Sequence, residues 1–495
     1  MGFIDFLFPP STSLYPPAAT VLTYLESFTD HFNLQPHIHF NTSVISAEYV
    51  LNEALPSGKK AYVWNISTQS MDCEPQISHF KFDWLLVCNG HYSVPRCPSI
   101  PGLQAWLISG KASHSATYRN PSQLPLPSSA KVLVIGNGPS GQDIVTDLLS
   151  SPLISQIIHS TSTPPTIPDV NPKLINRPRV SQFFTDSTVQ FCDSSIESSI
   201  SYCILATGFQ THFPFFSDDY LCPSIPPSIP PLPDMSILYN TSYGVFPLAR
   251  YLFPFIGTTH RPYIAFPGLP IGVSPFPLTQ IQARAALALF EEIDQDPENS
   301  KIDWAQESLD ILTRYEELKM TALEPAAGDL NLNSEISEAS LTLEEKIAKK
   351  WYRFEPMDQF EYRDSLIELV GRLSSTSLSS SSGAVSSSPS SLPSTSPSPN
   401  PNLNLNSSGT PSAINAITSL DATPRSSNPL SRFLSKDWER YIITYGNILR
   451  RTWQALERSG EAKEWVRGVG EGEDPEKEWV ELTKKVVKKG LEMEG

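Results

Sequence analysis

Four consecutive apolar residues, Val132 to Ile135, begin the most regular hydrophobic pattern in the chain and predict a buried strand. Directly after them, Gly136, Gly138 and Gly141 stand at the spacing G-x-G-x-x-G, and the residues that follow have the periodicity of a helix. A strand, a glycine-rich turn and a helix in this order are typical of a dinucleotide-binding βαβ unit. The alternative is a glycine-rich turn in another kind of α/β protein.

The three glycines would serve three different purposes in such a unit. One allows the tight turn, one lets the backbone approach a pyrophosphate, and one lets the helix pack closely on the strand. The start of the helix would then direct free backbone N–H groups at the phosphates. The spacing therefore predicts a dinucleotide site at this turn.

Apolar periodicity predicts further elements on both sides of the turn. Two of the predicted strands end in small residues, one in Cys88-Asn89-Gly90-His91 and the other in Ala206-Thr207-Gly208. Small residues at a strand end commonly let the backbone approach a ligand, and a plain turn is the alternative. The predicted elements are helices over 19–32 and 278–293 and strands over 37–50, 61–67, 82–87, 201–209 and 262–267.

The C-terminal part of the chain has a different pattern. Residues 300–370 and the tail from Ser435 are predicted to be helical, and the aromatic residues Trp438, Tyr441 and Trp453 of the tail are interpreted as packing residues. Between them, residues 373–420 contain no charged residue and are dominated by Ser, Pro and Asn. The burial of its few large apolar groups could not offset the entropy that the segment would lose on folding. We therefore expect a disordered insertion. A serine-rich tract open to phosphorylation is the alternative.

Composition narrows the class of protein. The 495 residues leave room for two or three domains, and the net charge of -16 argues against nucleic acid or an anionic membrane surface as a partner. No apolar run reaches the ~18 residues of a membrane-spanning helix. The six cysteines have neither C-x-x-C nor zinc-ligand spacing, so no metal site is expected. We expect a cytoplasmic protein; the oligomeric state is not predicted.

Residues 108–118, ISGKASHSATY, resemble the fingerprint F-x-G-x-x-x-H-x-x-x-Y/F of the flavin-containing monooxygenases. Gly110, His114 and Tyr118 occupy the motif positions, and Ile108 stands where phenylalanine is usual. Other segments resemble the family in the same order, over roughly residues 1–295. They are DFLFPPSTSLYPPAATVLTYLESFTDHFNL, FDWLLVCNGHYSVPRCPSIPG, GNGPSGQDI, LATGF and GLPIGVSPFPLTQIQAR.

The resemblance implies an α/β fold of two nested, three-layer Rossmann-like domains with helical C-terminal additions. It implies an FAD-type domain in two parts, 1–128 and 202–300, and an inserted NADPH-binding domain over 129–201. The remaining segments are a helical extension over 301–372, the insertion over 373–428 and a helical segment over 429–495.

The resemblance also implies the chemistry. NADPH would reduce FAD, the reduced flavin would take up O2 as a C4a-hydroperoxide, and a soft nitrogen or sulfur nucleophile would attack its distal oxygen. The small-molecule substrate then needs no acid–base dyad, so no catalytic residue is assigned, and His114 is expected to shape the link between domains. The implied cofactor-binding residues are Gly136, Asn137, Gly138, Pro139, Ser140 and Gly141 for NADPH, Asn89, Gly90, Thr207 and Gly208 near FAD or the domain hinge, and Gln282 in the helix that faces the flavin.

The residues that follow the predicted nucleotide helix bear on the choice between NADPH and NADH. About twenty residues after the glycines, where NAD enzymes place an acid that binds the ribose, the chain has His159, Ser160, Thr161 and Ser162. The absence of Asp and Glu favours a 2′-phosphate, whereas the absence of Arg weakens that preference.

One departure from the family pattern matters for function. No G-x-G-x-x-G precedes Gly136, although the family places one near its N-terminus for the ADP half of FAD. The sequence is therefore expected to be either N-terminally incomplete or a diverged relative that holds FAD poorly. The alternatives to a monooxygenase are a noncatalytic NADP(H)-binding protein and another flavoenzyme. Against a Baeyer–Villiger enzyme, Arg119 rather than proline follows Tyr118, and against a disulfide reductase, the chain has no C-x-x-C.

Overall fold

The computed structural model describes residues 2–52, 61–71, 74–161, 171–232, 237–255, 263–295, 301–323, 341–374 and 430–494. The insertion expected over 373–428 lies outside the described residues except for its first two positions, and Ser162 also lies outside them. No helix in these ranges is both long and apolar enough to cross a lipid bilayer.

The helices carry the labels used below. They are α1 (Ala18–His31), α2 (Leu103–Ile108), α3 (Pro139–Ser150), α4 (Pro275–Gln295), α5 (Trp304–Leu323), α6 (Leu343–Trp351), α7 (Asp358–Ser374), α8 (Asp437–Thr444), α9 (Gly446–Ser459), α10 (Ala462–Val466) and α11 (Pro475–Glu494).

The strands are mostly short outside the central sheet. They are β1 (Thr42–Asn52), β2 (Ala61–Ser70), β3 (Ile77–Phe82), β4 (Leu85–Leu86), β5 (Val94–Pro95), β6 (Ala112–His114), β7 (Ala130–Ile135), β8 (Ile154–Ser160), β9 (Leu174–Arg177), β10 (Val180–Phe183), β11 (Val189–Phe191), β12 (Ile196–Glu197), β13 (Tyr202–Leu205), β14 (Phe209–Gln210), β15 (Leu221–Cys222), β16 (Leu238–Asn240), β17 (Val245–Phe246), β18 (Leu248–Ala249), β19 (Phe253–Pro254) and β20 (Ile264–Ala265).

The largest sheet is parallel and is centred on β7, the predicted buried strand. Its order is β6-β13-β7-β8-β9. Val134 packs with Val145 and Leu148 of α3 on one face, while Leu133 packs with Leu103 and Trp106 on the other. Both faces of the strand are thus covered, which is why its sequence is continuously apolar. This layering confirms the predicted Rossmann-like α/β fold. Two strands of the sheet, β6 and β13, lie outside residues 129–201.

Among its sheets the surrounding domain has two small parallel pairs, β4 with β20 and β15 with β16, and a three-stranded antiparallel sheet. Ile264 and Ala265 of β20 pair in parallel with Leu85 and Leu86 of β4, and β1, β2 and β3 form a separate antiparallel sheet. The long helix α4 buries one side in the same core as β20. The two exits predicted to carry small residues, after β4 and after β13, both follow parallel strands.

Two predicted strands in this region were wrong in extent. The strand expected over 82–87 is reduced to Leu85–Leu86, and a separate strand, Ile77–Phe82, precedes it. The strand expected to begin at His37 begins at Thr42, because Gln35–His37 form a 3₁₀ turn that contains Pro36. Proline favours such a turn since its ring fixes φ and removes a ladder donor.

The C-terminal helices pack on the N-terminal segment, so the two ends of the chain lie together. Leu449, Trp453 and Leu456 of α9 are buried, as expected from their helical spacing. The Trp453 indole Nε1 donates to Ser13 Oγ at 3.0 Å, and Ser11 N donates to the Val469 carbonyl at 2.9 Å. The position of α9 is therefore fixed by a hydrophobic cluster and by bonds to residues 11–13.

Candidate functional site

The glycine-rich turn has the geometry that its sequence predicts at two of its three glycines. Gly136 has φ +116°, and a Cβ there would lie 2.2 Å from the carbonyl oxygen of Ala206. A Cβ on Gly141 would lie 2.1 Å from the carbonyl oxygen of Gly136. Both positions exclude any larger side chain, the first because of its turn and contact with the end of β13, the second because helix and strand pack closely.

Gly138 has a different environment. It has φ -71°, which any residue adopts, and no atom lies within 4 Å of where its Cβ would be. It is the N-cap residue of α3, with no side-chain hydrogen bond to the cap and no acidic residue in the first turn. Pro139 removes one N–H, while Ser140 and Gly141 leave theirs at the positive end of the helix. The space above Gly138 thus suits an anion and holds no competing group.

His159 of the neighbouring strand β8 holds the glycine-rich turn by a hydrogen bond. Its side chain is fully buried on β8, and its Nε2 lies 2.9 Å from the carbonyl oxygen of Gly136. Since a carbonyl only accepts, Nε2 carries the proton, and Nδ1 is buried with no partner. Burial lowers the pKa of His159, although the bond to Gly136 opposes that shift. The imidazole is therefore neutral and shapes the turn.

The other ribose-side candidates are buried as well. Ser160 donates from Oγ to the Pro178 carbonyl at 2.9 Å, and only 7% of the Thr161 surface is exposed. Neither side chain faces open space. Of the candidates that the structure describes, Ser160 and Thr161 therefore offer no exposed side chain to a 2′-phosphate.

The exit of β13 is tied to the segment after β4. Thr207 Oγ1 donates to the Arg96 carbonyl at 2.6 Å, and Arg96 N donates to the Gly208 carbonyl at 2.9 Å. Gly208 has φ +82° with nothing near its would-be Cβ. The Arg96 guanidinium in turn donates to the Ser242 carbonyl and lies 3.9 Å from the centroid of the Tyr243 ring. Thr207 is thus a structural link, and Gly208 leaves exposed backbone beside it.

The fingerprint residues connect this exit to the nucleotide helix. Gly110 makes a turn with φ +71°, and Tyr118 donates from its hydroxyl to Asp147 Oδ2 of α3 at 2.5 Å. His114 accepts from Ala116 N through Nδ1 at 3.1 Å and contacts the Phe209 ring edge-to-face at 5.1 Å. Burial lowers the pKa of His114. A buried, neutral His114 at the end of β6 fits the role expected for it, shaping the link between domains.

Asn89 and Gly90 lie at the same edge. Asn89 donates from Nδ2 to the His212 carbonyl at 2.9 Å, and Gly90 has φ +72° with open space around its would-be Cβ. Burial lowers the pKa of the next residue, His91, and a hydrogen bond with the Gly268 backbone opposes that shift. The turn after β4 therefore meets the loop that precedes α4.

Gln282 stabilises that loop from inside. Its side chain is fully buried; Oε1 accepts from Gly268 N at 2.8 Å and Nε2 donates to the Tyr362 hydroxyl at 3.0 Å. The Tyr362 hydroxyl donates onward to the Arg250 carbonyl at 2.7 Å. Both ends of the Gln282 amide are engaged, so the residue positions the Gly268 backbone.

Gly110 precedes β6 and Gln282 lies in α4, whereas Gly136, Asn89 and Gly208 each follow a parallel strand at its carboxyl edge. Binding sites of open α/β sheets lie at this edge. Sequence reasoning did not find Arg96, Tyr362 and Arg450, the last of which donates to Asp143 Oδ1 of α3 at 2.6 Å. Arg96 and Tyr362 donate to backbone carbonyls more than 100 residues away, and Arg450 lies more than 300 residues from its partner, so local spacing carried no signal for them.

Comparison with known proteins agrees with this geometry. The family model described as flavin-binding monooxygenase-like matches residues 1–169. The chain is 31% identical over 308 residues to the flavin-containing monooxygenase FMO GS-OX-like 2 of Arabidopsis thaliana, a match that covers 59% of this chain and 57% of that protein. It is 27% identical over 297 residues to the thiol-specific monooxygenase of Saccharomyces cerevisiae, covering 59% of this chain and 62% of that protein.

Solved structures show the same fold. The S-allyl-L-cysteine S-oxygenase of Allium sativum superposes with a TM-score of 0.54 at 21% identity, over 75% of this chain and 71% of that one. Tmm from Pelagibacter sp. strain HTCC7211 gives a TM-score of 0.50 at 16% identity, over 76% and 69% of the two chains. The chain therefore has the fold of these proteins, and its match spans a little over half the length of the first curated relative.

Proposed function

We propose that the protein is an FAD- and NADPH-dependent monooxygenase that transfers one oxygen atom of O2 to a soft sulfur or nitrogen nucleophile. Two similar proteins are named for sulfur chemistry, one a thiol-specific monooxygenase and the other an S-oxygenase. Their names favour sulfur as the substrate atom.

The open helix N-terminus at Gly138 is the observation that supports the proposed binding of NADPH. Gly136 and Gly141 are held against Ala206 and against each other, so the turn is preorganised. The NADPH diphosphate would lie over Gly138 and accept from the backbone N–H groups of Ser140 and Gly141. These residues fit the dinucleotide.

The fit to FAD is partial. Asn89, Gly90, Gly208 and the Gly268 loop lie at the edge where the flavin side would bind. The printed sequence holds one G-x-G-x-x-G. In the described residues the outer domain shows two short pairs of parallel strands, β4 with β20 and β15 with β16, and no second turn of this kind. These residues do not form a cradle for the ADP half of FAD, so no step is assigned to the flavin here. A bound flavin would supply the oxygen-activating chemistry.

In the proposed reaction, the described side chains of the site would hold its backbone in position and would keep their own protons. His114, His159 and Gln282 each use their side chains to fix backbone at the edge of the site. None is free to exchange a proton with a substrate. This agrees with a reaction that needs orientation and water exclusion from the protein.

The first test uses the purified full chain and has two readouts, visible flavin absorbance and NADPH affinity by calorimetry. We expect Gly138→Glu to raise the Kd for NADPH by at least about tenfold, because a carboxylate would occupy the anion space. The fold should persist, since a side chain at this φ meets no atom. Unchanged affinity would reject the assigned nucleotide site.

A matched control shows whether the loss of affinity depends on the position of the added charge or on the charge alone. Gln306→Glu places the same charge in the first turn of α5, at an exposed residue. This variant should bind NADPH as the unaltered chain does. Thiol-stimulated NADPH oxidation in a flavin-containing sample would support the monooxygenase.

A noncatalytic NADP(H)-binding protein is the second candidate. It is favoured by the single glycine fingerprint of the sequence and by the shortness of the two outer parallel pairs, of two strands each, in the described region. It predicts NADPH binding that Gly138→Glu abolishes, together with no flavin absorbance after addition of FAD and no substrate-stimulated oxidation.

A further inference from the structure

A cation from the far end of the chain lies beside the nucleotide helix. The Arg450 guanidinium of α9 donates from Nη2 to Asp143 Oδ1 at 2.6 Å. Asp143 follows Pro139 by four residues and Ser140 by three, which places its Cβ about 5–6 Å from theirs on one helix face. That face is the exposed one, because the buried residues of α3 are Gly141, Ile144, Val145 and Leu148.

The nucleotide unit itself is poor in positive charge. Residues 130–161 contain one Lys or Arg, Lys131, and its ammonium group is paired with Glu197 at 3.1 Å. Glu197 also binds Arg177 of β9 at 2.6 Å. The helix adds two carboxylates, Asp143 and Asp147. A diphosphate at Gly138 would therefore meet backbone N–H groups but no free cation from this unit.

Arg450 is well placed to supply that charge. Its backbone belongs to α9, which is anchored by the buried residues Leu449 and Trp453. Its side chain, in contrast, is 43% exposed, and that of Asp143 is 61% exposed. A rigid backbone with a solvated, flexible head group allows the guanidinium to move from the carboxylate to a phosphate within one helical turn.

We propose that Arg450 is a cofactor-binding residue that contacts the diphosphate of a bound dinucleotide, with Asp143 holding its guanidinium in the absence of the nucleotide. The inference rests on the proposed NADPH site at Gly138. Guanidinium groups bind phosphate through two parallel hydrogen bonds, so Arg suits this role better than Lys. The C-terminal helices thereby form one wall of the nucleotide site.

The alternative is that the ion pair only docks α9 on α3. Three variants of the full chain distinguish the two roles by the Kd values for NADPH and NADH. Arg450→Gln should raise both by roughly tenfold, since the diphosphate is common to the two nucleotides. Asp143→Asn should lower both by about threefold, because it releases Arg450 and removes a negative charge beside the phosphates. In the double variant the gain from Asp143→Asn should be much smaller.

The neighbouring exposed residue provides the control. Arg451→Gln removes the same charge from the same helix and should leave both Kd values unchanged. Loss of an exposed ion pair costs little stability, so thermal midpoints of all variants should agree within a few degrees. A lower midpoint for Arg450→Gln alone would indicate a docking role and overturn the proposal.

Three other results would also overturn it. They are an unchanged affinity in Arg450→Gln, weaker binding in both single variants, and weaker binding of NADPH alone, which would assign Arg450 to the 2′-phosphate. Failure of the proposed function looks different. In that case the unaltered chain binds no dinucleotide, and Gly138→Glu has no effect to compare with.

Discussion

Three glycines of one motif illustrate how much depends on a single Cβ atom. Gly136 and Gly141 have backbone within 2.2 and 2.1 Å of the position that a Cβ would take, whereas Gly138 has open space. The G-x-G-x-x-G spacing predicts a dinucleotide site for all three as a set. Their division into two packing glycines and one that borders open space depends on contacts such as the one with Ala206, which is distant in sequence.

This division makes a prediction at the residue scale. Gly136→Ala should lower the free energy of unfolding by roughly 3 kcal/mol or more, because its φ of +116° and the contact with the Ala206 carbonyl both oppose a methyl group. Gly138→Ala is the control and should change stability by less than about 0.5 kcal/mol. Urea unfolding followed by tryptophan fluorescence measures both. Equal losses in the two variants would contradict this account.

Histidines show a second limit at this scale. The sequence placed His159 where a ribose would be recognised, but the structure turns its ring inward to hold the Gly136 carbonyl. Strand residues alternate between the two faces of a sheet, and the face of His159 is decided by the register of β8 on β7. Because the next residue, Ser160, is buried as well, neither face of this strand end offers an exposed side chain to a ligand.

At the scale of the element, β8 links proton binding to the shape of the nucleotide turn. Burial lowers the pKa of His159, so the folded chain keeps this ring neutral below pH 6.5 while the unfolded chain binds a proton. The unfolded state then holds more protons, and stability falls as the pH decreases through this range. Protonation in place would also create a buried N–H at Nδ1 with no acceptor.

We therefore expect the free energy of unfolding to fall between pH 7.5 and 5.5, by up to about 1.4 kcal/mol for each histidine that stays neutral. His114 shares this behaviour, since burial lowers its pKa as well. Urea midpoints at the two pH values measure the slope. It should be smaller in His159→Gln, and an unchanged slope there would assign the effect to other groups.

The elements themselves were largely predictable where their pattern was long. The helices expected over 19–32 and 278–293 correspond to Ala18–His31 and Pro275–Gln295, and the apolar run at 132–135 lies in Ala130–Ile135. Short strands were predicted less well. Leu85–Leu86 exists because it pairs with Ile264–Ala265, so its length is set by a partner about 180 residues away.

At the scale of the whole molecule, the two ends of the chain combine to place Arg450 beside the nucleotide helix. The N-terminal segment receives a hydrogen bond from Trp453 through Ser13 and donates to Val469 through Ser11. The C-terminal helices thus depend on Ser11 and Ser13, which lie more than 400 residues earlier in the chain. Loss of this cluster should affect both stability and the nucleotide site.

Trp453→Ala tests this coupling. The indole is fully buried, so its removal should lower the free energy of unfolding by about 3–5 kcal/mol and raise the Kd for NADPH to that of Arg450→Gln. Leu491→Ala, at a residue of α11 that is 45% exposed, should leave both unchanged. Unaltered NADPH affinity in a folded Trp453→Ala variant would show that the helices do not reach the nucleotide.

Local pattern was sufficient for the glycine turn, the strand before it, the helix after it and the family fingerprint, because each depends on neighbours within a dozen residues. Tertiary structure decided which glycine borders open space, which face His159 takes, how Gln282 is used and where Arg450 lies. These depend on register, on burial and on contacts across hundreds of residues. Steric exclusion and hydrogen bonding act between atoms that are close in space. Residues that are near in sequence are reliably close in space only within one helix, strand or turn, so the sequence pattern cannot predict the other contacts.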